Sequence, residues 1–291
     1  MAKIVGVFAT GHAPNLVTTW ERAGEDICRR TLEAMQELGR RIRAAGATTL
    51  ITISNDHFNN FFLNNLPAYA IGVADEWTGP EDDLRYEKGL VRIPGSPALA
   101  KHIVQYLYEH EDFDPSVSHC LKLDHGTFVP VRYTFPDFDL PLIPTFQNCV
   151  QPPMPTLRRA AAFGAALRSA VESFPGDERV AVVGAGGMSH FIGVPEQGRI
   201  NEDFDRLWVS LFERGDLAGL TSLTPRQMLS GGNGGEEIRN WIAAMGCAGG
   251  RPAEWLMYAP VPAWLIGMGV VDFHFTSSQP SAISSQQPSL S

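Results

Sequence analysis

Two periods of apolar residues alternate along this chain, and each predicts a different element. Short apolar or β-branched runs predict strands over Ile4–Ala9, Leu50–Ile53, Pro67–Val73, Leu140–Phe146 and Arg179–Val183, with a further one over Ser116–Leu123. Pro141 and Pro144 place the run at 140–146 near a sheet edge or a strand end. Apolar stripes at helical spacing lie between these runs. Ile27, Met35, Leu38 and Ile42 predict a helix from about Trp20 to Ala45, stopped by Gly46. Ser96-Pro97 reads as an N-cap with proline at the first helical position, and Leu99, Ile103 and Leu107 carry that helix to about Tyr108. Leu157, Ala161, Leu167 and Val171 mark a helix over Pro155–Phe174. Further helices are predicted over Asp203–Glu213, from Thr224-Pro225, and over Glu236–Met245. Glu76–Lys88 is charged, holds Gly79-Pro80 and reads as a surface loop.

Strands alternating with helices predict an α/β fold: a single domain over 1–275 with a central mostly parallel or mixed β-sheet flanked by helices. Ligands of such sheets bind outside the carboxyl ends of the strands, which is where the active site is expected. Residues 276–291 are Ser, Gln and Pro with few large apolar side chains and predict a disordered tail.

Composition narrows the function classes. The chain has 291 residues, 44% hydrophobic and 19% charged, enough for a substantial core. A net charge of −9 without a Lys/Arg block argues against nucleic acid or an anionic membrane as partner. Cys28, Cys120, Cys149 and Cys247 are scattered and form no CxxC pair, which fits reduced thiols in the cytoplasm. No apolar run approaches the ~20 residues of a membrane span, and the first residues read as a strand rather than a signal peptide.

The chemistry gathers at strand ends. The run at 4–9 delivers His12, that at 50–53 delivers His57, and that at 179–183 delivers His190. In a parallel arrangement these imidazoles share one rim, and His125 in the loop Asp124-His125-Gly126 is a fourth candidate. His102, His110, His119 and His274 read as residues outside the site. Gathered histidines commonly hold a metal. For the carboxylate, the stripe Ile238, Trp241, Ile242 and Met245 defines the core side of its helix. At ~100° per residue Glu237 lies roughly 90° from the stripe centre and can turn into a site, whereas Glu236 lies roughly 170° away and faces solvent. Two histidines and a carboxylate suit a non-haem Fe(II) oxygen-using enzyme, and zinc could take the same ligands in a hydrolytic site. Asp56 is a candidate partner for His57, and Phe58, Phe61 and Phe62 read as core or pocket wall. Nucleotide binding is disfavoured. Gly184-Ala185-Gly186-Gly187 breaks the GxGxxG spacing at Ser189, and Ser230–Gly235 lacks a GK[ST] ending. Ser189 and His190 are adjacent in an extended segment and point apart, so they do not make a nucleophile–base pair.

Taken together, His12, Asn55-Asp56-His57, Asp124-His125-Gly126, Gly186-Gly187-Met188-Ser189-His190 and Gly235-Glu236-Glu237 resemble the class III extradiol ring-cleaving dioxygenases, over about residues 4 to 270. The likeness is to the catalytic β subunits that cleave protocatechuate and gallate. It implies Fe(II) held by His12, His57 and Glu237, with His190 as acid/base residue and His125 contacting substrate or O₂. It implies opening of a catechol-type aromatic acid beside its adjacent hydroxyls, with both atoms of O₂ entering the product. It also implies a homo-oligomer, or a complex with a small helical subunit that this chain does not supply. The competing readings are a metal-dependent hydrolase or aminophenol-cleaving relative on the same scaffold, and a non-catalytic binding protein.

Overall fold

Buried side chains run the length of the central strands, because both faces of the sheet are covered. A computed structural model describes residues 1–81 and 89–275. Its strands are β1 (Lys3–Thr10), β2 (Thr49–Ser54), β3 (Tyr69–Gly72), β4 (Glu76–Gly79), β5 (Val91–Pro94), β6 (Ser116–Ser118), β7 (Leu142–Gln147), β8 (Arg179–Ala185), β9 (Glu254–Val261) and β10 (Ile266–Asp272). Its helices are α1 (Asn15–Thr18), α2 (Glu25–Ala44), α3 (Pro97–His110), α4 (His125–Thr134), α5 (Leu157–Ser173), α6 (Glu202–Glu213), α7 (Leu217–Thr221), α8 (Pro225–Leu229) and α9 (Ile238–Cys247). The main sheet is mixed, in the order β6-β3-β7-β2-β8-β1-β10-β9, and β4 and β5 form a separate pair. Along β8, Val180 and Val182 join the core under α3, α5 and α9, while Ala181 and Val183 join the core under α2 and α4. This alternation is what a sheet between two helical layers requires.

The functional consequence lies in the middle of the sheet. β8 pairs in parallel with β1 on one side and with β2 on the other. The three strand ends predicted to carry histidines are therefore adjacent and point the same way.

Several expectations are corrected. The helix expected from Trp20 is interrupted at Gly24, whose φ of 84° is not helical, and α2 begins at Glu25. Gly46 follows α2 at φ 71°, as its role of stop demands. The loop expected at Glu76–Lys88 begins as strand β4, antiparallel to β5, and its residues 82–88 lie outside the described residues, as does the tail expected at 276–291. β7 is interior despite Pro144. Leu50 N donates to the Pro141 carbonyl, so odd-numbered residues of β7 face β2 and Pro144 faces β3. Pairing with β3 ends at Ile71↔Thr145, one residue before the missing N–H would matter. β6 is only three residues long. Ser96 precedes α3 without a side-chain cap bond. The hairpin β9–β10 and helix α4 are not apparent from periodicity. β10 runs antiparallel to β1 and makes the sheet mixed on that side.

The expected solvent face for Glu236 does not exist. Every residue of α9 is buried between β8, β1 and β2 on one side and α5 and α7 on the other. Glu236 is 7% exposed and pairs with Arg239, which also donates to the Pro155 carbonyl at 2.8 Å. Glu236→Ala strands that guanidinium in the interior, and we expect a loss of about 3 kcal/mol of unfolding free energy with site geometry retained. Chemical denaturation with metal analysis checks both.

α2 is tied to the β9–β10 hairpin by Arg41, which donates to Glu254 at 2.6 Å and to Asp272 at 2.8 Å. His274 closes this acidic group, but the guanidinium already supplies its cation. Arg41 holds the carboxyls of Glu37 and Glu254 below their ordinary value of 4.5. Depressed carboxyls stabilise the fold above that value, and the contribution is lost as pH falls through the folded pKa values. Arg41→Met should therefore lower Tm at pH 7 and bring a smaller penalty at pH 3, measured by thermal melts across pH.

Candidate active site

At the rim where β1, β8 and β2 end, four imidazoles and one carboxylate converge. β1 runs into Gly11-His12, and Gly11 N donates to the Gly269 carbonyl of β10 at 2.9 Å. β2 runs through Ser54 and Asn55 to His57. β8 ends at Ala185, and the turn Gly186–Ser189 carries the chain to His190. Glu237 arrives from the far layer, on a 3-10 turn Gly234–Glu237 that leads into α9. Glycines make this approach possible. A Cβ on Gly184 would lie 2.6 Å from the Asn240 carbonyl oxygen, and one on Gly186 would lie 2.8 Å from that of Glu237. The glycine run that resembles a nucleotide loop thus lets the start of α9 lie directly on the strand end.

His12 Nε2 is 3.1 Å from Glu237 Oε2, and His57 Nε2 is 3.2 Å from Oε1. His190 Nε2 lies 3.5 Å from Oε2. The His57 ring is 5.1 Å from that of His12 and 3.9 Å from that of His125. His125 also meets His12 edge-on at 5.5 Å. Every expected site residue is thereby in one cluster. Neighbouring ligands at ~2.1 Å from one cation lie roughly 3 Å apart, so the two Nε2–carboxylate spacings fit a shared ion. Nitrogens of His12, His57 and His125 are also close enough together to hold one. The other histidines lie elsewhere: His102 faces Ser173 at 2.8 Å, and His110, His119 and His274 are exposed.

Each oxygen of Glu237 has a fixed donor. Gly187 N–H reaches Oε2 at 2.8 Å, and the Asn55 amide reaches Oε1 at 3.1 Å. Asn55 is itself held by Asn240, which is held by Gln147, both at 3.1 Å. Burial opposes the charge on Glu237, but His12 and His190 hold its carboxyl well below the usual range. Burial lowers His12 despite Glu237. An ionised carboxylate and a neutral imidazole are the states that bind a metal.

His57 is oriented by Asp124 and not by Asp56. The Asp124 carboxylate, fully buried, accepts from His57 N at 2.8 Å and His57 Nδ1 at 3.0 Å. It also accepts from Gly126 N at 3.0 Å as the N-cap of α4. One side chain thus fixes both the His57 ring and the helix end that presents His125. Burial works against the His57 imidazolium, yet Asp124 and Glu237 together raise it well above the ordinary value. Asp56 instead turns back to accept from Asn59, Asn60 and Phe61. Asp124→Asn keeps a residue able to cap but removes the charged acceptor of Nδ1. We expect metal retention to weaken on the order of 10–100-fold, measured by chelator competition.

A cavity of about 200 Å³ opens over this cluster. Four histidines, Asn15 and Glu237 are its polar lining, and Ala13, Pro14, Ile192, Trp264, Leu265 and Ile266 its apolar lining. The volume is small against the ~300–1,000 Å³ of drug-sized sites and suits a single ring. Trp264 and Leu265 come from the turn between β9 and β10, where Leu265 adopts φ 63°. Periodicity gives no sign of this wall. Phe58 and Phe62, expected in core or wall, are 39% and 52% exposed. Phe61 is half-buried, edge-on to Phe146 at 6.3 Å.

Comparison with known proteins adds an independent line. The family model described as the catalytic LigB subunit of aromatic ring-opening dioxygenase matches residues 6–269. Among curated relatives, the 2,3-dihydroxyphenylpropionate/2,3-dihydroxicinnamic acid 1,2-dioxygenase of Photorhabdus laumondii is 29% identical, with 82% of this chain and 88% of that protein covered. The enzyme of the same name from Cupriavidus necator is also 29% identical, covering 82% and 90%. The crystal structure of an uncharacterized Escherichia coli K12 protein shares the fold, with a TM-score of 0.53 at 16% identity, over 83% of this chain and 91% of that one.

Proposed function

This chain belongs to the family of catalytic subunits of aromatic ring-opening dioxygenases, and from that premise we propose that it is an Fe(II)-dependent extradiol enzyme. Its substrate is a catechol-type aromatic acid, opened beside the two adjacent hydroxyls with both atoms of O₂ retained. The observation that carries this reading is the convergence of His12 and His57 on the two oxygens of Glu237, at 3.1 and 3.2 Å, beneath a ring-sized cavity. Fe(II) held by these three residues would keep open coordination places for both substrate oxygens and O₂ and let electrons pass between them.

The remaining groups handle protons and water. His190 donates Nδ1–H to the Met188 carbonyl at 2.9 Å, which leaves Nε2 as the acceptor on the cavity side. An imidazole so placed can take the proton of a ring hydroxyl and return it later. His125 lines the same cavity, its ring against that of His57, and can contact O₂ or supply a proton to the leaving oxygen. The apolar wall at Trp264, Leu265 and Ile266 excludes water from the reacting ring and packs its face. Among the described residues, none lining the cavity is Lys or Arg, and we place the acid group of the substrate at the mouth, on the side of the exposed Ile192. A second copy of the chain, or a small helical subunit, would shield that mouth. No described helix is long and apolar enough to cross a membrane, and we place the enzyme in the cytoplasm.

The test is O₂ uptake by anaerobically Fe(II)-loaded protein with catechol, protocatechuate, gallate and 2,3-dihydroxyphenylpropionate. We expect stoichiometric O₂ consumption and a yellow ring-fission product with at least one of them. No turnover across the panel by protein that has bound iron overturns the reading.

A further inference from the structure

His190 sits in the most completely fixed turn of the site. Every backbone polar group of Met188, Ser189 and His190 has a partner. Met188 N donates to Gly267 O at 3.1 Å, and Gly267 N donates to Ser189 O at 2.9 Å. His190 N donates to Gly231 O at 2.9 Å, and Gly234 N donates to His190 O at 3.1 Å. The Met188 carbonyl takes the ring Nδ1. The remaining group, Ser189 N, donates to Asp205 at 2.7 Å.

Asp205 does more than accept that one bond. It belongs to α6, is fully buried, and accepts the Ser189 hydroxyl at 3.0 Å and the Tyr258 hydroxyl of β9 at 2.9 Å. Ser189 Oγ in turn accepts from Asn201 N at 2.9 Å. A buried carboxylate left without donors is costly, so three donors from two separate segments hold Asp205 in one place and Ser189 with it.

Two glycines then confine the ring itself. A Cβ on Gly187 would lie 2.6 Å from His190 Cε1, and one on Gly234 would fall on Cδ2 and Nε2. Gly234 belongs to the second glycine-rich stretch. That stretch is clasped to the turn by Asn233, whose side chain accepts from Ile192 N at 2.9 Å and donates to Ile192 O at 2.8 Å.

We propose that Asp205, acting through Ser189 and with Tyr258, is a positioning residue for His190, and that Gly187 and Gly234 form the slot that fixes its ring. The network presents Nε2 to the cavity and commits Nδ1–H to the Met188 carbonyl. It rests on the assignment of His190 as the acid/base group. A general base must lie within hydrogen-bond reach of its proton, and displacement of about 1 Å can cost ~10² in rate. This also gives the stretch Ser230–Gly235 a use: a side chain at Gly234 would occupy the imidazole's space.

The experiment uses full-length Ser189→Ala, Asp205→Asn, Tyr258→Phe and Gly234→Ala proteins. The first readout is the ¹⁵N tautomer spectrum of His190 in metal-free protein, assigned with His190→Gln. Wild type should show the Nδ1–H form alone, and Asp205→Asn and Gly234→Ala should show a mixture. The second is steady-state kinetics after Fe(II) loading. We expect kcat to fall about 10–10²-fold in Asp205→Asn and Gly234→Ala, with KM within about threefold and iron content unchanged. Tyr258→Phe removes one bond and Ser189→Ala the two of its hydroxyl, while the Ser189 N–H bond to Asp205 stays, and both should lose less. Folded Asp205→Asn and Gly234→Ala with wild-type tautomer and kcat overturn the proposal. If those two do not fold, an unaltered tautomer and kcat in both Ser189→Ala and Tyr258→Phe overturn it. Absence of turnover by wild type refutes the dioxygenase reading instead, and the tautomer spectrum still decides the positioning.

Discussion

Glu237→Ala protein should retain less than about a tenth of the wild-type iron and show no measurable ring cleavage. The carboxylate bridges two imidazoles from different strands, at 3.1 Å from His12 Nε2 and 3.2 Å from His57 Nε2. It brings the negative charge among four histidines in the cavity. Removing it takes away a ligand and leaves any cation or added proton among neutral imidazoles with no compensating charge in a buried place. The result also separates two ligand sets that the geometry allows. His12, His57 and His125 have nitrogens near enough to share an ion. If Glu237→Ala keeps its iron and His125→Ala loses it, the three-histidine set is the true one. If iron is lost with Glu237 and kept without His125, the carboxylate is a ligand. Iron content after desalting, measured beside O₂ uptake, decides this.

The second large effect is expected at His190. His190→Ala should bind iron as wild type does and lose kcat on the order of 10²–10⁴-fold, the usual cost of a lost acid/base group. Its Nε2 is 3.5 Å from Glu237 Oε2, beyond an ordinary hydrogen bond, and its Nδ1 is engaged by Met188. It is therefore no hydrogen-bond anchor of the carboxylate, whose oxygens keep their donors from Gly187 and Asn55, and its removal should leave the ligand set intact. Loss of iron in parallel with activity would instead make His190 a ligand. Single-turnover kinetics with pre-bound catechol would show whether the missing step is deprotonation or a later one.

The three strand ends are legible because β1, β2 and β8 are buried on both faces, and such strands read as unbroken apolar runs that stop where the chemistry starts. The same burial hides other parts. α9 is apolar or paired on every side, so its stripe marks no boundary between core and water, and periodicity puts Glu236 outside when Arg239 holds it inside. α4 is hidden by its own burial and by Pro130. Its only local sign is Asp124 at the cap position. Asp56 is the nearer candidate for His57 in sequence, but the tertiary fold supplies Asp124 from 67 residues away. The wall at Trp264 and Leu265 depends on a left-handed turn at a leucine, which composition does not announce.

The full burial of α9 bears on how the molecule opens. Amides exchange with solvent either through local openings or through global unfolding. A helix packed between the sheet and a second helical layer has no local route to water, so its amides should exchange at rates set by unfolding of the whole domain. Ile192 on the cavity wall, 45% exposed, belongs to the opposite end of that scale. The carboxylate that would hold the metal is thus built into the slowest-opening part of the chain, and the cavity mouth into a fast one. Substrate can enter and product can leave through fluctuations that never loosen Glu237.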